Sequence, residues 1–170
     1  LKLVLLAYKF IYSPKSAIAI CQNEHDKRIL LNFRVCAESK ISIIPGSGVD
    51  LDKFKPNTSK KDKHNILMAS RMLLNKGIKE FCSAAKQFNS YGESDVKFRL
   101  AGPIDELSPT SISEEQLRSL CQDSEVEYLG NRSDLNILLA SASIFIMPSY
   151  YPEGVPKVLL EAAACGTPII

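Results

Sequence analysis

Two glutamates open the chemical reading of this chain. Glu153 and Glu161 stand eight residues apart in Pro148-Ser-Tyr-Tyr-Pro-Glu153-Gly-Val-Pro-Lys-Val-Leu-Leu-Glu161, a Gly/Pro loop running into a helical pattern. Ionised carboxylates accept hydrogen bonds from sugar hydroxyls. Eight residues of helix would separate these two by about 12 Å at ~1.5 Å per residue, the span from a sugar to a ribose across a diphosphate. Gly154 allows close backbone approach, and Pro156 suits a first helical turn, where its missing N–H costs nothing. The chain entering the helix at Gly154, Val155 and Pro156 therefore presents amides and the positive end of a helix dipole to a phosphate. Spacing alone is not diagnostic, because Glu106 and Glu114 are also eight apart. Helical projection turns Glu161 away from the stripe Val155, Val158, Leu159, Ala162, toward either a ligand or water.

A second constellation is Ile66-Leu-Met-Ala-Ser-Arg71-Met-Leu-Leu-Asn-Lys76-Gly77. An apolar strand ends, a cation follows, and another cation precedes a glycine that opens a helix. Ligands of open α/β sheets bind beyond the carboxyl ends of strands. Arg71 offers a planar fork for phosphate oxygens and Lys76 a point charge, so the pair suits a departing nucleoside diphosphate.

The elements that must position these groups are legible as short apolar runs alternating with helical periods, which predicts a parallel βαβ sheet. Strands are expected at Ala17 to Cys21, Ile41 to Ile44, Asn65 to Ala69, Val96 to Ala101, Val126 to Leu129 and Ser143 to Met147. Ile78, Phe81, Cys82, Ala85 and Phe88 form one helical stripe, and Val155 to Ala163 carries another. Ser133 or Asp134 is placed to cap a helix over Leu135 to Ala142, and Ser113 with Gln116 fits a capping box. Leu1 to Tyr12 reads as a helix interrupted by Lys2 and Lys9, too short to span a membrane.

The chain has 170 residues, 45% of them hydrophobic, with 21 Lys+Arg against 19 Asp+Glu. A net charge of +2 leaves no field to hold nucleic acid. Five cysteines without a CxxC pair suggest reduced, buried thiols and no metal site. His25 and His64, among charged neighbours, read as surface residues. The polar, Pro-broken stretch 51–63 reads as a linker, dividing residues 1–50, the tail of one α/β domain, from residues 64–170, most of a Rossmann-like second domain. Both ends read as cuts in a longer protein.

Arg71 with Lys76-Gly77, the Glu153 to Glu161 block, and Ser47-Gly-Val-Asp-Leu51 before Phe54 and Pro56 together resemble glycosyltransferase family 4, retaining enzymes of GT-B fold. The resemblance covers about residues 17–170. It implies that Arg71 and Lys76 bind the donor diphosphate, that Glu153 meets the transferred sugar as the catalytic carboxylate, and that Glu161 meets the ribose. It places Asn131 and Arg132 where the base is held, mostly by backbone. Within the family, the Gly46 to Asp50 and Tyr151 to Gly166 blocks look most like bacterial enzymes of capsular, exopolysaccharide or lipopolysaccharide synthesis. These transfer a hexose or N-acetylhexosamine from a UDP-linked donor to a lipid-linked or glycan acceptor. The resemblance further implies metal-independent catalysis without a cofactor, an acceptor held by an N-terminal domain lying outside this sequence, and a cytoplasmic protein peripheral to the inner membrane. Turnover by the present residues alone is not expected. A GT-B nucleotide-sugar epimerase and a non-catalytic nucleotide-binding module stay open as alternatives. A nicotinamide dehydrogenase is disfavoured, since Gly46-x-Gly48 lacks a third glycine and the acidic ribose partner.

Overall fold

The computed structural model describes residues 2–57, 64–92, 95–150 and 154–170. They divide into two compact units, Leu1–Gly48 with Pro152–Lys157, and Val49–Tyr151 with Val158–Ile170.

The first unit contains α1 (Lys2–Ile11), β1 (Ala19–Cys21), α2 (Glu24–Asn32) and β2 (Ile41–Ile43). β1 and β2 pair in parallel, Ala19 opposite Ile41. The Lys40 ammonium donates to the carbonyls of Tyr12 at 2.9 Å and Pro14 at 2.7 Å, tying β2 to the chain that leaves α1. Hydrophobic periodicity does not anticipate α2, because its sequence EHDKRILLN is mostly polar. Its start is nonetheless written in the chain: the Asn23 side chain accepts from the Asp26 amide at 2.7 Å, a cap that satisfies one of the helix's orphan N–H groups.

The second unit holds β3 (Asn65–Ala69), α3 (Ile78–Asn89), β4 (Lys97–Ala101), α4 (Glu114–Ser124), β5 (Val126–Tyr128), α5 (Leu135–Ser141), β6 (Ile144–Phe145) and most of α6 (Lys157–Ala164). The strands form one parallel sheet in the order β5-β4-β3-β6. Beyond β6, Ile169 bridges Phe145 in parallel, extending the edge. Strand alternation sends side chains to two cores. Met68, Phe98, Leu100 and Val126 pack with Ile78, Phe81 and Leu117 of α3 and α4. Leu67, Ala69, Ala101 and Phe145 pack on the opposite face with Leu139, Ala140 and Ala162 of α5 and α6. Helices on both faces of a parallel sheet make this a doubly wound α/β unit.

Three local expectations are corrected. The stretch 51–63 is not linker throughout. Phe54 is buried in the second unit's core, and the Asp50 carboxylate accepts from the amides of Asp52 and Lys53 to fold a turn ahead of it; residues 58–63 lie outside the described residues. The helical stripe does not begin at Val155, since α6 starts at Lys157 and Val155 is exposed. Asp134 occupies the N-cap of α5 without capping it, because its carboxylate is taken by Arg132. The capping box of Ser113 and Gln116 forms as read, Ser113 accepting from the Gln116 amide and Gln116 from the Ser113 amide, both at 3.2 Å.

Candidate functional site

In the second unit the chain runs from β3 outward to β4 and β5, then returns to β6 on the other side of β3. The loops leaving β3 and β6 thus start in opposite directions, which opens the crevice where doubly wound sheets bind ligands. Arg71 and Lys76 both lie on the loop after β3. Asn131 and Arg132 follow β5, and Glu161 lies within α6. The loops that bear Arg71, Lys76, Asn131 and Arg132 leave the carboxyl ends of β3 and β5.

The loops are stitched into a fixed platform. Ser70 N donates to Ala101 O at 3.0 Å, Met72 N to Pro103 O at 2.9 Å, Leu74 N to Thr110 O at 2.9 Å, and Ile112 N to Met72 O at 3.0 Å. Gly102 makes this closeness possible: at φ +137°, a Cβ there would stand 1.8 Å from the Ser70 carbonyl oxygen. The Tyr128 hydroxyl donates to Gly102 O at 2.8 Å, adding β5 to the platform. Gly77 does the same for the loop after β6. It caps α3 in the left-handed region at φ +82°, and a Cβ would lie 2.3 Å from the Pro148 carbonyl oxygen. There Tyr150 N donates to Asn75 O at 3.3 Å, and the Tyr150 hydroxyl to Leu74 O at 3.1 Å.

Arg71 extends from this platform with its side chain 59% exposed, and its Nη1 lies 2.8 Å from Asp105 Oδ2. Asp105 was not singled out in the sequence. The signal was the one that marked Arg71, a charged residue shortly after a strand's carboxyl end, here β4.

Lys76 and Glu161 are the charged side chains among the buried described residues, each 8% exposed. A buried charge is retained only with partners, and neither is left without one. Burial of Glu161 corrects the helical projection. The face opposite the core stripe of α6 was expected to meet ligand or water, yet only 8% of Glu161 is exposed. Its charge reaches Cys165 one turn on, whose thiol pKa is raised first by burial and then by Glu161.

The remaining site residues are placed less simply. Arg132 gives both arms of its fork to Asp134, Nε to Oδ1 at 2.8 Å and Nη2 to Oδ2 at 2.7 Å, while Asn131 is exposed. Hydrogen bonding to Arg132 holds the Asp134 carboxyl below the usual carboxylate range, and the same bond raises the Arg132 pKa. In the first unit Gly154 packs on Gln22, whose Cβ would lie 2.8 Å from an added Gly154 Cβ, so this glycine meets protein backbone and side chain at close range. Pro156 directly precedes α6. Glu153 lies outside the described residues. The continuous helix from which a 12 Å separation is drawn is not present, because residues 154–156 precede α6.

The cysteines are unpaired by disulfides and all are buried except the partly exposed Cys36. Cys82 of α3 and Cys121 of α4 are coupled, the interaction between the two thiols lowering the pKa of Cys82 and raising that of Cys121. His25 and His64 are exposed. Among the described residues no group of three or more His, Cys, Asp or Glu could hold a metal, and no helix is long and apolar enough to cross a membrane.

Residues 50–170 match the family model described as glycosyl transferases group 1. The chain is 35% identical to the N,N'-diacetylbacillosaminyl-diphospho-undecaprenol alpha-1,3-N-acetylgalactosaminyltransferase of Campylobacter jejuni, over 97% of this chain and 43% of that protein. It is 31% identical to the UDP-Gal:alpha-D-GlcNAc-diphosphoundecaprenol alpha-1,3-galactosyltransferase of Escherichia coli, over 99% of this chain and 46% of the other. In structure it is similar to a glycosyltransferase from Rickettsia africae, with a TM-score of 0.74 and 22% identity over 95% of this chain and 46% of that one. The chain thus spans less than half the length of these relatives.

Proposed function

The chain belongs to the group 1 glycosyl transferases, and on that premise we propose that the protein containing it is a retaining glycosyltransferase of cell-surface glycan synthesis. It moves a hexose or N-acetylhexosamine from a UDP-sugar to a lipid-linked or polysaccharide acceptor. The related galactosyltransferase takes a UDP-linked donor, and both curated relatives are named for acceptors on diphospho-undecaprenol. The acceptor would be held by residues outside this sequence, at the cytoplasmic face of the inner membrane.

The observation that carries this reading is the burial of Lys76 and Glu161 in the same unit, with Arg71 on the loop it shares with Lys76. Charges kept in a fold against their desolvation cost, at the carboxyl side of a doubly wound sheet, are expected to serve a ligand. Arg71 and Lys76 neutralise the diphosphate, and more so as it departs with full negative charge, which lowers the barrier without a metal ion. Glu161 accepts hydrogen bonds from the ribose hydroxyls. Glu153, by its place in the motif, orients the sugar and supports the charge that develops on it.

The test is titration of the full-length enzyme, without divalent metal, with UDP and with uridine. Arg71→Ala and Lys76→Ala should each weaken UDP binding about ten- to a hundredfold, corresponding to a charge-assisted contact of ~1.5–3 kcal/mol, while uridine binding changes little. Equal losses for both ligands would remove the diphosphate assignment.

A further inference from the structure

We propose that Asp105 is the positioning residue of the diphosphate clamp: it holds the Arg71 guanidinium in place before the donor arrives. The inference rests on the reading of Arg71 as a phosphate ligand and adds a residue to it. Arg71 sits on an exposed side chain that, unheld, samples many rotamers. Among the described residues its side chain is held by the Nη1 to Asp105 Oδ2 bond at 2.8 Å. A guanidinium carries five N–H donors in a rigid fork, so a contact at one arm fixes the plane and direction of the others.

What makes Asp105 suited to this is the fixity of its own backbone. It lies between Pro103, whose carbonyl receives the Met72 amide, and Thr110, whose carbonyl receives the Leu74 amide, and its own carbonyl accepts from the Ser108 amide at 3.0 Å. Leu73 and Ser111 form an antiparallel bridge across the same seam. Arg71 and Asp105 are therefore borne by two loops that are hydrogen-bonded together on both sides of the pair. Asp105 is also less exposed than Arg71, at 26% against 59% of the side chain, as fits an anchor holding a more solvated partner. The opposing expectation is electrostatic: a carboxylate beside the clamp repels a diphosphate. Positioning prevails, because the Asp105 charge is already compensated by the Arg71 contact, while an unheld arginine must be ordered by the ligand itself.

A double-mutant cycle in the full-length enzyme tests this, with UDP and uridine as probes and thermal unfolding to confirm folding. Asp105→Ala should weaken UDP binding about three- to tenfold, the scale of ordering one long side chain on binding, and leave uridine unchanged. Asp105→Asn, which keeps an oxygen acceptor, should recover part of the loss. In an Arg71→Ala background Asp105→Ala should have no further effect on UDP. Tighter UDP binding by Asp105→Ala, or a loss of the same size in the Arg71→Ala background, overturns the proposal. If Arg71→Ala alone leaves UDP binding intact, the functional reading fails, and this inference with it.

Discussion

Gly77→Ala isolates the close approach on which the platform depends. At Gly77 a methyl group meets two separate penalties: the left-handed backbone at φ +82°, and the Pro148 carbonyl oxygen 2.3 Å away. Gly92 has the same φ of +82° with nothing within 4 Å, so Gly92→Ala meets only the first. Backbone strain costs about 1–2 kcal/mol at either position. Relieving the contact at Gly77 requires a shift of about 1 Å to reach ordinary van der Waals separation, which strains the Tyr150 N to Asn75 O bond beside it, at a further ~0.5–1.5 kcal/mol. The Gly77 variant should therefore melt below the Gly92 variant by a few degrees, at about 2–4 °C per kcal/mol for a unit of this size. The same shift moves Lys76, so Gly77→Ala should also lose UDP affinity, whereas Gly92→Ala should not. Calorimetry and UDP titration on both variants decide the matter. Equal melting temperatures and equal affinities would refute the reasoning.

The other expectations concern the carboxylates. In the full-length enzyme Glu153→Gln should lower kcat strongly and leave UDP binding nearly intact, as for a group whose contact strengthens in the transition state; normal turnover would unseat the sugar-site assignment. Glu161→Ala should weaken binding of UDP and uridine alike, since ribose is present in both, and calorimetric titration showing loss for UDP alone would contradict it. Asp134, with its pKa lowered by Arg132, contributes stability above the ordinary aspartate range that is lost as pH falls through its folded value. Asp134→Asn should accordingly flatten the decline of melting temperature below about pH 4, and an unchanged acid limb would show the pair to be inert.

Much of the second unit was legible because each element announces itself locally. β3 was bounded correctly by its apolar run, α3 by its stripe, and α4 by its capping box. What was missed has a common cause: it depends on what lies opposite in space. The polar helix α2 shows no stripe and is signalled only by Asn23. Phe54 reads as part of a charged, Pro-broken tract, but its ring fills the core beside α5 and α6. The cap expected from Asp134 failed because Arg132, two residues before, offered its carboxylate a bidentate partner. Helical projection turns Glu161 toward either a ligand or water, yet it is buried, since a helical wheel records which face is polar but not what covers it.

That burial bears on how every substitution at the site must be read. Removing one partner of a buried charge leaves the other uncompensated, a loss of roughly 3–5 kcal/mol that falls on folding as much as on binding. For Lys76 and Glu161, each 8% exposed, a fall in activity or affinity alone cannot separate a damaged fold from a lost ligand contact. For Lys76, comparing UDP with uridine separates them, because a loosened fold weakens both ligands whereas the diphosphate contact acts on one; for Glu161, whose ribose contact serves both ligands, the melting temperature of the variant has to be read beside the titration. Arg71, exposed and paired at the surface, is free of this complication. Its replacement should change the melting temperature little, since exposed ion pairs contribute at most about 1 kcal/mol, while UDP binding falls at least tenfold. A large drop in melting temperature on Arg71→Ala would show that the Arg71–Asp105 contact is structural, and the clamp would have to be rebuilt around Lys76.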